Sequence, residues 1–276
     1  MPTINSALEL QYNNRALVPE HPAIFERWRS ASSAFRKHAD ADLDLRYGKA
    51  DRQRLDLFRA PHARGTVVFI HGGYWRSLDK SDFSFVAAPF VARGLSVAAF
   101  NYRLCPTVSV LEIIADCRDA LAWLLAEGPQ HGIRVERIAL TGHSAGGHLV
   151  SMLFATDWQH RGIDPSCIAG GAVLSGVSDL EPLLNCSMNE DLRLDATGAR
   201  AVSPVHHRCR LSVPLYLAVG ATESAAFREQ TRQLQHAWPE TCQRVEEIAS
   251  CNHFTIVDDF VRPDSQGMRF VSGLFA

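Results

Sequence analysis

The chain reads as an α/β protein: a mostly parallel, doubly wound sheet with helices on both faces. Three observations predict this. Short runs rich in β-branched and aromatic residues, at 54–58, 66–70, 95–101, 137–140, 171–175, 214–219 and 243–248, have the length and composition of strands. Runs with helical spacing, at 83–93, 111–127, 146–156 and 225–237, separate most of them. Strands joined by helices pair in parallel and carry those helices on both faces. Finally, 276 residues with 46% hydrophobic and 21% charged side chains suit one domain, 1–276, with a sizeable core.

Residues 1 to about 45 read as an N-terminal helical extension, in which Pro22 opens a helix running through Ile24, Phe25 and Trp28. The antiparallel strands that commonly begin such a sheet look reduced. The buried strand Val67-Val68-Phe69-Ile70 runs straight into His71-Gly72-Gly73-Tyr74-Trp75. Glycines there let the main chain come close to a substrate oxygen, so the amides of Gly72, Gly73 and Tyr74 are candidate oxyanion donors.

The strand Arg137-Ile138-Ala139-Leu140 enters Gly142-x-Ser144-x-Gly146, and a helical run leaves it. This is the strand–turn–helix setting of a nucleophile elbow, in which Ser144 is lifted over the sheet edge and Ala145 offers a further amide to the oxyanion. Glu223 is the sole carboxylate in the loop after the strand at 214–219, and His253 is the sole histidine beyond the last strand. Nucleophile, acid and histidine then follow the order Ser144, Glu223, His253. Residues 178–203 break the alternation and read as a small cap, whose charged run at 190–195 fits a solvated helix face. The whole is the plan of an α/β-hydrolase fold.

Composition narrows the function. A net charge of −2 gives no electrostatic basis for binding nucleic acid or an anionic membrane. No uncharged apolar stretch approaches the roughly 18 residues of a membrane span. The first residues lack the basic start and apolar core of a signal peptide. The seven cysteines are scattered without a C-x-x-C pair, so neither a disulfide framework nor a zinc site is expected. A cytoplasmic location is the expectation. Cys251, near His253, reads as a small buried residue. No cofactor or metal is called for, and oligomeric state is open, a homodimer being one option.

The segments His71-Gly72-Gly73-Tyr74-Trp75, Gly142-His143-Ser144-Ala145-Gly146-Gly147-His148 and Asn252-His253-Phe254 resemble those of the kynurenine formamidase (arylformamidase) group of α/β-hydrolases. Tyr12-Asn13-Asn14-Arg15, the stretch from Ser175 to Leu183, Ser203-Pro204 and the loop from Gly220 to Phe227 are similar too, with Glu223 standing where an Asp is often found. The resemblance implies a serine hydrolase that frees an arylamine from its N-formyl derivative, N-formyl-kynurenine being the leading substrate, as in tryptophan breakdown. Tyr12, Tyr74, Trp75 and Phe254 are the expected substrate-binding residues. An esterase or amidase for another small aryl ester, amide or carbamate is the alternative. A non-catalytic binding protein on the same scaffold is the remote one.

Overall fold

The computed structural model describes residues 4–276; Met1–Thr3, where the expected extension starts, lie outside the described residues. Eight strands form one sheet: β1 (Ala41–Arg46), β2 (Arg54–Phe58), β3 (Thr66–Ile70), β4 (Ser96–Phe100), β5 (Ile138–His143), β6 (Ile168–Leu174), β7 (Leu215–Gly220) and β8 (Arg244–Ile248). Their order is β1-β2-β4-β3-β5-β6-β7-β8. β1 and β2 are antiparallel to their neighbours, and every pairing from β4 through β8 is parallel.

Alternation along each strand feeds two cores. In β3, Val68 and Ile70 face one helical layer while Val67 and Phe69 face the other. The N-terminal helices are α1 (Ser6–Tyr12), α2 (Asn14–Leu17) and α3 (His21–Arg36). After them come α4 (Ala87–Val91), α5 (Val110–Glu127) and α6 (Ala145–Phe154). Two short helices, α7 (Asn189–Leu192) and α8 (Ala196–Ala201), precede α9 (Ala225–Ala237), α10 (Thr255–Phe260) and α11 (Gln266–Gly273). The first core packs α5, α6 and α9 on the sheet; the second packs α3, α4, α10 and α11 on its opposite face. Burial on both faces explains why the central strands read as continuous apolar runs.

Two expectations change. The helical extension stops at Arg36, and Ala41–Arg46 is a strand; the antiparallel start of the sheet is therefore present, not reduced. Its sequence Ala-Asp-Leu-Asp-Leu-Arg alternates with period two, the mark of a half-buried strand. Its charges suit an edge strand, where they discourage pairing with other chains. One of them, Asp44, bonds Lys80 Nζ, which also reaches the fully buried Asp56 at 2.8 Å. No helix among the described residues is long and apolar enough to cross a membrane.

Candidate active site

Ser144, Glu223, His253 and the Gly72-Gly73 loop each follow the carboxyl end of a parallel strand, where open α/β sheets gather their ligand sites. Ser144 sits between β5 and α6 with φ 55° and ψ −120°, a backbone costing a non-glycine residue about 1–3 kcal/mol. The flanking glycines are obligatory for steric reasons. A Cβ on Gly142 would lie 2.4 Å from the Gly146 carbonyl oxygen, and one on Gly146 would lie 1.9 Å from that of Ile70. The turn thus packs backbone on backbone and presents the serine hydroxyl.

Three buried side chains form a hydrogen-bonded line. Ser144 Oγ lies 2.9 Å from His253 Nε2, and His253 Nδ1 lies 2.7 Å from Glu223 Oε2. A carboxylate only accepts, so Nδ1 carries the proton and Nε2 presents its lone pair to the serine hydroxyl. Glu223 is itself held: its Oε1 accepts from Ser175 Oγ at 2.5 Å and from the Gly220 amide at 2.7 Å. The loops carrying acid and histidine are tied together, because the Cys251 carbonyl accepts from both the amide and the hydroxyl of Thr222. Burial pushes the Cys251 thiol up to about 11, so it stays protonated and unreactive near neutrality.

The loop after β3 approaches from the other side. Gly73 has φ +113°, and a Cβ there would meet the Ser77 carbonyl oxygen at 2.2 Å. The amides of Gly73, Tyr74 and Ala145 have no acceptor among the described residues and so remain free to donate. Gly73 and Tyr74 line a cleft that opens on Ser144 and His253. Gly72 lies outside the cleft wall, packed against Ser144 so closely that a Cβ would sit 3.1 Å from the serine Cβ.

Of the four residues named as candidate substrate contacts, Tyr12, Tyr74 and Phe254 line this cleft and Trp75 does not. It is fully buried in the first core, and its indole N–H donates to His148 Nδ1 at 3.1 Å. Its role there is structural: His148 Nε2 in turn donates to the Val202 carbonyl at 2.7 Å, fastening the residues after α8 to α6. The aromatic wall comes instead from Phe25 and Trp28 of α3. Phe25 meets Phe254 edge-on at 5.0 Å. No local motif marks these two; they read as the apolar face of an amphipathic helix.

The segment 178–203 flanks the cleft with Ser187 and Met188. Glu9 of α1 grips it by accepting from both the amide and the hydroxyl of Ser187, each at 2.8 Å. Arg76 pairs with Asp191 at 2.7 Å. Part of the charged run at 190–195 is therefore not simply solvated: Asp191 closes the cleft rim and Asp195 caps α8. His143 lies behind Ser144, where its Nε2 donates to the His253 carbonyl at 2.7 Å. Among the described residues, no cluster of His, Cys, Asp or Glu side chains is arranged to hold a metal ion.

Known proteins are similar to this chain in sequence and in fold. The BD-FAE family profile matches residues 55–175. A kynurenine formamidase from Danio rerio is 28% identical over 92% of this chain and 90% of its own. A crystal structure from Silicibacter sp. TM1040, provisionally described as a thioesterase, is 32% identical, covers 98% of this chain and 99% of its own, and superposes with a TM-score of 0.84. Esterase B from Lactobacillus rhamnosis, at 20% identity and TM-score 0.71 over 94% of this chain and 96% of its own, shares the fold. The chain is an α/β-hydrolase, related to kynurenine formamidases over most of its length, and is a hydrolase of ester or amide bonds.

Proposed function

We propose that this hydrolase cleaves an N-formyl arylamine such as N-formyl-kynurenine, with Ser144 as nucleophile, His253 as base and acid, and Glu223 as the group that orients it. The observation that carries the reading is the hydrogen-bonded line from Ser144 through His253 to Glu223, opening into an aromatic-walled cleft. His253 Nε2 takes the hydroxyl proton as Ser144 Oγ attacks the formyl carbon. The oxyanion is stabilised by the free amides of Gly73, Tyr74 and Ala145, each such donor being worth about 3–4 kcal/mol. The imidazolium, stabilised by Glu223, then protonates the departing amine nitrogen as the C–N bond breaks. Water attacks the formyl ester with His253 again as base, and formate leaves.

Formyl is the smallest acyl group and needs no acyl pocket, so the walls of Phe25, Trp28, Tyr74 and Phe254 serve the aryl side. The relation to kynurenine formamidase over 92% of the chain supports this choice of substrate and a place in tryptophan breakdown. The seven free cysteines support a reducing, cytoplasmic setting. The test is turnover of N-formyl-kynurenine beside p-nitrophenyl acetate. Deformylation with kcat/KM above about 10⁴ M⁻¹s⁻¹ is expected. Ester cleavage without deformylation would replace the reading with an aryl esterase; turnover of neither would leave a binding protein.

A further inference from the structure

The motif Tyr12-Asn13-Asn14-Arg15 has no part in the chemistry above, yet every one of its side chains is placed. Tyr12 OH accepts from Gln230 Nε2 at 2.8 Å, and its carbonyl accepts from Tyr74 OH at 2.6 Å. Asn13 caps α2 through the Ala16 amide. The Asn14 amide donates to Tyr74 OH. Tyr12 and Asn14 thus dock the chain onto the loop that carries the candidate oxyanion donors, Asn13 starts the next helix, and Arg15 is delivered to the cleft mouth.

Arg15 is held there by a hydrogen bond to Ser77 Oγ at 3.2 Å and by stacking of its guanidinium 5.9 Å above the Phe25 ring. The cleft is lined by three charged residues, Glu9, Arg15 and Arg76. Glu9 is occupied by Ser187, and Arg76 by Asp191. Arg15 is the one cation of the cleft without an ion pair among the described residues, and its charged neighbour Arg76 is already paired with Asp191. A guanidinium braced on an aromatic face, with fork donors unspent, is suited to bidentate recognition of a carboxylate.

We propose that Arg15 anchors a carboxylate on the leaving-group side of the substrate, so that the site selects anionic aryl amides or esters over neutral ones. This rests on the hydrolase reading above. The nucleophile then works at one end of the cleft while the charge is fixed at its mouth, which sets the register of the scissile bond over Ser144.

Two matched pairs test it. One is a formanilide bearing a short carboxylate arm and its neutral carboxamide counterpart; the other is a phenyl acetate with the same two arms. The full-length enzyme is expected to prefer the carboxylate by about tenfold in kcat/KM, mainly through KM, as fits a charged contact at an exposed rim. That preference shrinks with rising salt, collapses in R15Q and is partly kept in R15K. An equal preference in wild type and R15Q, or none in wild type, overturns the proposal. If only the acetates turn over, the formamidase reading fails and Arg15 is judged on the acetate pair. If neither pair turns over, calorimetric binding of the two arylamine products decides. Tighter binding of the carboxylate product to wild type than to R15Q supports the anchor, and equal binding overturns it.

Discussion

Replacing Glu223 by glutamine removes a charge while keeping shape, and the structure dictates how the amide must sit. Oε1 receives two donors, Ser175 Oγ at 2.5 Å and the fixed Gly220 N–H at 2.7 Å. In E223Q the amide oxygen must take that place, because turning the NH₂ toward the Gly220 amide would leave buried donors facing one another, at about 1–3 kcal/mol. The NH₂ therefore points at His253 Nδ1. That nitrogen must then present its lone pair, which moves the ring proton to Nε2, facing Ser144 Oγ 2.9 Å away. A histidine in that tautomer cannot accept the serine proton. By analogy with serine proteases, the loss is about 10⁴-fold in kcat, or about 5 kcal/mol of barrier. E223D keeps the charge and the tautomer at the expense of reach, so it should fall between wild type and E223Q. The assay is kcat on any turned-over aryl ester or formamide, with thermal melting to show that the fold survives. An E223Q enzyme within about tenfold of wild type would refute the tautomer reasoning.

Three other perturbations follow from the same geometry. G146A forces a Cβ to within 1.9 Å of the Ile70 carbonyl oxygen and should cost several kcal/mol, read as a melting point about 2–4 °C lower per kcal/mol; an unchanged melting point would contradict the packing. Y74F removes the bonds to the Tyr12 carbonyl and the Asn14 amide, so stability should drop by about 1 kcal/mol and kcat should fall with it as the loop loosens; wild-type kinetics would detach that loop from oxyanion binding. Acid should destabilise the fold through His148. Its Nδ1 accepts from Trp75 and burial brings its pKa down to about 4, whereas an unfolded histidine titrates near about 6.5. The unfolded chain therefore gains a proton first as pH falls. Stability is full above the unfolded value and lost progressively between those two limits, by about 3 kcal/mol. Buried His143, shifted in the same direction, adds to the slope. Urea unfolding across this window should show the loss, and H148Q should flatten it; equal slopes would refute the assignment.

What the sequence makes legible is what local chemistry demands. The elbow needs two glycines because backbone meets backbone there, and the acid and histidine follow strands whose apolar runs are plain. The Glu223 position is readable because the loop after β7 holds one carboxylate. Ser175, which donates to that carboxylate from a strained backbone with φ 49°, is not readable, since no local signal separates it from other serines. The strand β1 is masked by its charges, whose partners Arg59 and Lys80 are distant in sequence. Trp75 illustrates the opposite failure: adjacency to the glycine loop suggests a substrate wall, but its ring packs in the core, edge-on to His148. Phe25 and Trp28, which line the cleft beside Tyr74 and Phe254, come from a helix more than a hundred residues from Ser144, and only tertiary packing against Phe254 brings them there. Arg15 belongs to a motif visible in the sequence, but its lack of an ion-pair partner emerges only when the surrounding charges are seen.

Covalent trapping reaches the central claim, an activated Ser144, most directly. Wild-type protein treated with a fluorophosphonate should gain a single adduct by intact mass spectrometry, mapped to the peptide containing Ser144. S144A should gain none and lose turnover by a factor on the order of 10⁵–10⁶. An adduct on another residue, or S144A that still hydrolyses its substrate at near wild-type rate, would contradict the account.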